Sequence, residues 1–165
     1  MFKLSICLLN FMLLLNCFNG RPTVPDEAKI AHKELQKLRA STQTGVTISN
    51  YEQLVIEAKT AVNLAETKLP ITPPNVDLTR NDVPEGLLML TNSQMHKAMD
   101  AYQDAAVAWR CKISGKKLID TNEGKEIQRK HNIPAVNMDA DTVLQYLWDE
   151  ANMSTLSLQG LLSQE

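Results

Sequence analysis

The sequence predicts an all-α fold, an antiparallel bundle of about four long helices and one short helix. Three observations carry that expectation: four long stretches with apolar residues at three- and four-residue spacing, no convincing strand, and one long Pro-rich crossover.

The chain opens with MFKLSICLLNFMLLLNCFNG, where Lys3 precedes an apolar run from Leu4 to Leu15. A basic start followed by a short apolar run is signal-peptide architecture, and the run is too short for the roughly 20 residues of a membrane-spanning helix. All three Phe residues of the chain lie here, so the segment differs in composition from everything after it. Residues 1–20 are therefore expected to be a signal peptide. Two processing routes fit. In the first, cleavage near Gly20 leaves residues 21–25 as a short extended leader. In the second, Leu14-Leu15-Asn16-Cys17 is a lipobox with a signal of residues 1–16, and Cys17 is lipidated; Asn16 fits that pattern poorly.

Residues 26–165 are expected to form a single helical-bundle domain, long enough for a substantial core. Once the leader is gone, Cys111 is the last of the three cysteines, so no intrachain disulfide can form. Cys111 is read as a small apolar filler, with a bridge between two chains as the alternative.

The first helix is expected from Asp26 to about Ala40, with Ala28, Ala31, Leu35 and Leu38 on one face and an acidic start at Asp26-Glu27. Ser49-Asn50-Tyr51-Glu52 has the S-x-x-E form of a capping box and marks the start of the second. From there Tyr51, Val55, Ala58, Val62, Ala65 and Leu69 form a core seam that Pro70 ends. Pro70, Pro73, Pro74 and Pro84 make the next stretch a crossover, since proline breaks helix interiors and adjacent helices usually need only about 2 to 8 connecting residues.

The third helix is expected from about Pro84 to Cys111. Leu88, Met95, Ala98, Met99, Tyr102, Ala106 and Trp109 lie on one side of the wheel and Lys97, Asp100 and Asp104 on the other. Glu123 to His131 suits a short polar helix closed by Pro134. The last helix runs from about Asp139 to Leu162, with Leu144, Leu147, Ala151, Leu158 and Leu161 on one face, Trp148 beside it and Ser154 interrupting it. Asp139 and Asp141 are expected to serve the helix start. Each of the last three long helices carries its own aromatics: Tyr51, then Tyr102 and Trp109, then Tyr146 and Trp148.

Composition excludes several functions. Net charge is −2, and −3 without Lys3, with no basic stripe for nucleic acid and no polybasic membrane patch. Lys116, Lys117, Lys125, Arg129, Lys130 and His131 are interleaved with Asp120, Glu123 and Glu126, and are read as a solvated surface. A lipid anchor at Cys17 would be the one membrane contact.

C-x-x-C-H and paired E-x-x-H are missing, which argues against covalent haem and di-iron centres, and no nucleophile elbow, Walker loop or dinucleotide fingerprint occurs. Met95, His96 and Met99 are the metal candidates, because thioethers with an imidazole suit Cu(I). His96 lies roughly 100° from Met95 on the wheel, so core packing is preferred for the two methionines and no resident cofactor is expected. The formal glycosylation sequon Asn152-Met153-Ser154 falls inside the last predicted helix.

In SNYEQLVIEAKTAVNLAETKLP, MHKAMDAYQDAAVAW and VLQYLWDEA the chain resembles small exported bacterial helical proteins of uncharacterised function. The resemblance implies a protein of the bacterial cell envelope, periplasmic, secreted or lipid-anchored, and assigns no catalytic residue. The leading expectation is a non-enzymatic binding or structural module with a protein or small-molecule partner. A haem- or copper-binding periplasmic bundle is the second reading and a small enzyme the third. Ile56, Leu64, Leu90 and Ala108 fall off the core faces and suggest a partner surface or a homodimer.

Overall fold

The computed structural model describes residues 24–69 and 83–163, apart from the side chains of 83–85. Among them every regular element is helical: α1 (Asp26–Thr44), α2 (Ile48–Glu66), α3 (Val83–Ile113), α4 (Asn122–Lys130) and α5 (Ala140–Leu162), with 3-10 turns at Leu118–Asp120 and Ala135–Asn137. The expected signal peptide, the lipidation candidate Cys17 and the Pro-rich crossover lie outside the described residues. No helix within them is long and apolar enough to cross a membrane.

Helix α1 packs on α2 and α5, α2 on α3, and α3 most extensively on α5. The reason for that last contact is visible in composition. Ala98, Ala101, Ala105 and Ala108 of α3 are all fully buried, and their small side chains let a neighbouring backbone approach closely. Ion pairs from Lys97 to Glu150 and from Lys112 to Asp141 flank this strip and join the two helices. The expectation that Ala108 lies on an outer surface is thus corrected: α3 buries a wider arc than one stripe, the alanines beside the Met95–Ala106 face.

The seam of the second helix is buried as its spacing requires, from Tyr51 through Val55, Ala58, Val62 and Ala65, and Leu69 is buried too, although α2 ends at Glu66, short of the expected stop at Pro70. Its start differs. Thr47, not Ser49, is the N-cap; its hydroxyl accepts from the Asn50 amide at 3.3 Å, and Ser49 lies within the first turn. The chain leaves α1 at Gly45, whose φ of 90° is the left-handed region that suits glycine. α1 itself runs on to Thr44, beyond the expected end, as Ser41, Thr42 and Thr44 turn their hydroxyls back onto helix carbonyls.

Asp139 caps α5, its carboxylate accepting from the Thr142 amide at 2.9 Å, which holds its own carboxyl below the usual range. α4 sits on the 3-10 turn before it through Gly124, where an added Cβ would lie 1.9 Å from the Leu118 carbonyl oxygen. Val24, in the expected leader, is also part of the core. Ile56, Leu64 and Leu90 are exposed as expected, each more than half. Cys111 is free and half-buried against the core.

Candidate functional site

Two arrangements of side chains stand out, both built on the α3–α5 pair. The first is aromatic. Tyr51 of α2, Trp109 of α3 and Trp148 of α5 form a triangle, with ring centroids 5.5 Å apart for Tyr51–Trp109, 5.9 Å for Tyr51–Trp148 and 5.5 Å for Trp109–Trp148. The two indoles meet edge to face at 79°, the geometry that places a positive ring edge on a negative ring face.

Hydrogen bonds fix the triangle. Trp148 Nε1–H donates to the Tyr51 hydroxyl at 3.1 Å, and that hydroxyl donates to the Tyr102 carbonyl at 2.9 Å. Burial pushes the Tyr51 phenol far above its ordinary value, against the smaller opposing effect of the Trp148 bond, so it remains a donor. The Tyr102 hydroxyl donates to Asn152 Oδ1 at 2.8 Å, and burial pushes the Tyr102 pKa up to about 12. Asn152, the sequon residue, is thereby half-buried and engaged inside α5.

Trp109 was expected in the core, but it and Trp148 are half-buried, because they form the wall of a cleft. The cleft is a shallow concavity of about 770 Å³, broadly open to solvent, and is lined on its apolar side by Trp109, Trp148, Leu144 and Tyr146. Its polar rim is Lys112, Asp141, Thr142, Gln145 and Asp149. Lys112 is ion-paired with Asp141, and the Gln145 amide donates to Asp149 at 3.0 Å. Two carboxylates against one ammonium leave the rim net negative.

The second arrangement is electrostatic. His131 follows α4, and its side chain is only 6% exposed. Its Nε2 lies 2.8 Å from Asp104 Oδ2 on α3 and its Nδ1 lies 2.7 Å from Glu150 Oε2 on α5. A carboxylate accepts only, so serving both partners requires an N–H at each ring nitrogen, which is the imidazolium. Burial alone would lower the His131 pKa; the bonds and charges of Asp104 and Glu150 outweigh it and hold the ring above its ordinary value. Burial likewise works against the Asp104 carboxylate, and the bonds from His131 and Lys130 win and hold it below.

Lys130 reaches Asp104 at 2.9 Å and Asp100 at 3.3 Å, and these carboxylates hold its ammonium above the usual range despite burial. This corrects the expectation of a solvated surface for His131, whose ring is closed off, while Lys130 remains exposed as expected and pairs from the surface. Asp104 lies 27 residues and Glu150 19 residues from His131, so no local pattern announces the contact.

The metal candidates separate. Met95 and Met99 are buried in the core, whereas the His96 side chain is 38% exposed with its Nε2 3.7 Å from Glu66 Oε1. Among the described residues, no group of three or more His, Cys, Asp or Glu is arranged to hold a metal ion. A different histidine is buried: His32 of α1, whose pKa burial lowers against a bond to the Thr155 backbone, with its Nε2 unbonded.

No protein-family model, curated protein or solved structure matches the chain.

Proposed function

We propose that the protein is an exported, non-enzymatic binding module of the bacterial cell envelope, which holds a small amphipathic organic cation in the Trp109–Trp148 cleft. The observation that carries this is the composition of the cleft: an aromatic and aliphatic wall beside a rim with excess carboxylate. Aromatic faces attract cations within about 6 Å of the ring centroid, and the Asp149 carboxylate supplies the opposite charge at the rim. The wall supplies apolar and aromatic contact and the rim supplies charge, a lining suited to holding such a ligand. The triangle of fixed hydrogen bonds behind the wall preorganises it.

The frame proposed for this cleft is an antiparallel four-helix bundle with the Pro-rich stretch as its crossover, and residues 26–165 as one domain. Supporting it, Glu52–Arg110, Lys59–Gln103 and Glu66–His96 step in opposite directions along α2 and α3. Export rests on the N-terminal sequence, by cleavage near Gly20 or by lipidation at Cys17. Intact mass of the mature protein from its native host separates those routes; a mass that retains residues 1–20 without lipid removes both.

The chain has two tryptophans and both line the cleft, so tryptophan emission, excited selectively over the three tyrosines, reports on it. Titration with benzyltrimethylammonium should change that emission saturably, and Asp149→Asn should weaken the response more than it weakens any response to benzyl alcohol. Equal behaviour of the two probes would remove the cation assignment; no saturable response to either would remove the cleft.

A further inference from the structure

We propose that Asp104, His131 and Glu150 form a pH-operated latch, which fastens the segment 114–139 to the α3–α5 pair while the imidazole carries both protons and loosens it when one is lost. This inference stands apart from the cleft and does not rest on what occupies it.

The geometry has three parts. The segment between α3 and α5 consists of two 3-10 turns and the nine-residue α4; apart from the helix-end bonds of Ser114, Gly115, Lys116 and Asp139 at its two ends, its described polar attachments to α3 and α5 converge on Lys130 and His131. Its apolar anchors are few: Leu118, Ile127, Ile133 and Met138. α4 ends directly at the latch: His131 is its C-cap, Asn132 follows at φ 52° in the left-handed region that closes many helices, and the Ile133 amide donates to the Gln128 carbonyl at 3.0 Å.

The charged and titratable groups around the ring come from all three elements packed on it. α3 supplies Asp104, with Asp100 and Lys97 behind it; α5 supplies Glu150 and Tyr146; α4 supplies Lys130. Lys97 lies 3.5 Å from Glu150, and the Tyr146 hydroxyl donates to the His131 carbonyl at 3.4 Å. Two carboxylates face the two edges of one ring. A ring with a single N–H satisfies one of them and turns a lone pair toward the other, in a site that is nearly closed to water.

The sign follows from linkage. Because the folded His131 pKa is raised, its stabilisation is complete below the ordinary histidine value of about 6.5 and is lost as pH rises through the folded value. Because the Asp104 pKa is lowered, its stabilisation is present above the ordinary aspartate value of about 3.9 and is lost as pH falls through the folded one. The latch is therefore closed in mildly acidic solution and opens at both ends, the alkaline opening being set by His131.

The test is amide hydrogen exchange of the full chain, corrected for intrinsic rates, beside NMR titration of the His131 imidazole. Protection of the amides of α4 should fall about tenfold or more as pH rises through the His131 midpoint, while protection of the α2 seam stays constant. In Glu150→Gln both the imidazole midpoint and the loss of protection should move together to lower pH. In His131→Gln the α4 amides should be weakly protected at every pH, with no step. A His131 midpoint at or below the ordinary histidine value, α4 protection that does not change through that midpoint, or a Glu150→Gln variant in which it stays put would each overturn the latch. If His131→Gln fails to fold, Glu150→Gln alone decides between these outcomes.

Discussion

Replacing Tyr51 with phenylalanine removes one oxygen from the centre of the molecule and leaves the ring in place. The side chain is fully buried, so no cavity larger than a hydroxyl is created and the aromatic triangle keeps its shape. What changes is hydrogen bonding. Trp148 Nε1–H loses its acceptor at 3.1 Å, and the Tyr102 carbonyl loses the donor at 2.9 Å. That carbonyl lies within α3 and keeps its helical partner, so its loss is the smaller.

A buried group left unbonded costs about 1 to 3 kcal/mol, and Trp148 is half-buried, which places the Tyr51→Phe loss at about 2 kcal/mol. For a chain of this length that is a fall in melting temperature of about 4 to 8 °C. Urea denaturation monitored by circular dichroism measures the first quantity and thermal unfolding the second. A cycle with Trp148→Phe isolates the shared bond, with a coupling of about 1 kcal/mol expected. A Tyr51→Phe loss below about 0.5 kcal/mol, or no coupling in the cycle, would refute the claim that this hydroxyl ties α2 to α5.

Other substitutions probe separate elements. Thr47→Ala should cost about 1 kcal/mol and Ser49→Ala much less, because Thr47 holds the α2 cap; denaturation midpoints in the reverse order would restore the sequence assignment. Gly124→Ala should destabilise the 114–139 segment strongly, since a Cβ would lie 1.9 Å from the Leu118 carbonyl oxygen; an unchanged circular dichroism melt would contradict that approach. Trp109→Ala should cost less than the roughly 3 to 5 kcal/mol of a fully buried tryptophan, because the residue is half-buried at the cleft. A loss within that range would mean that the indole is core and the cleft is closed in solution.

The all-helical class was legible in the sequence because helical spacing is a local signal, and the α2 seam shows it best: all six of its residues are buried. Boundaries were less legible. S-x-x-E at Ser49 matched a capping pattern, yet Thr47 two residues earlier offered the same hydroxyl with extended backbone, and that choice depends on where the chain leaves α1. The aromatic triangle was half legible, since each of three helices brings an aromatic, but spacing does not say which rings meet. The His131 latch was invisible for a definite reason. GKEIQRKH reads as a polar surface because Arg129 and Lys130 beside the histidine are charged and exposed, and the carboxylates that engage the ring belong to two other helices. Met95 and Met99 were placed correctly in the core by the wheel alone.

The cleft is tested most directly by the indole N–H signals of a ¹⁵N spectrum, which number two for the two tryptophans of the chain. On titration with benzyltrimethylammonium both should shift and saturate together, with the Gln145 side-chain amide following them and the amides around His96 staying still. Indole signals that do not move, or shifts that gather elsewhere on the molecule, would contradict the assignment of the Trp109–Trp148 cleft as the binding site.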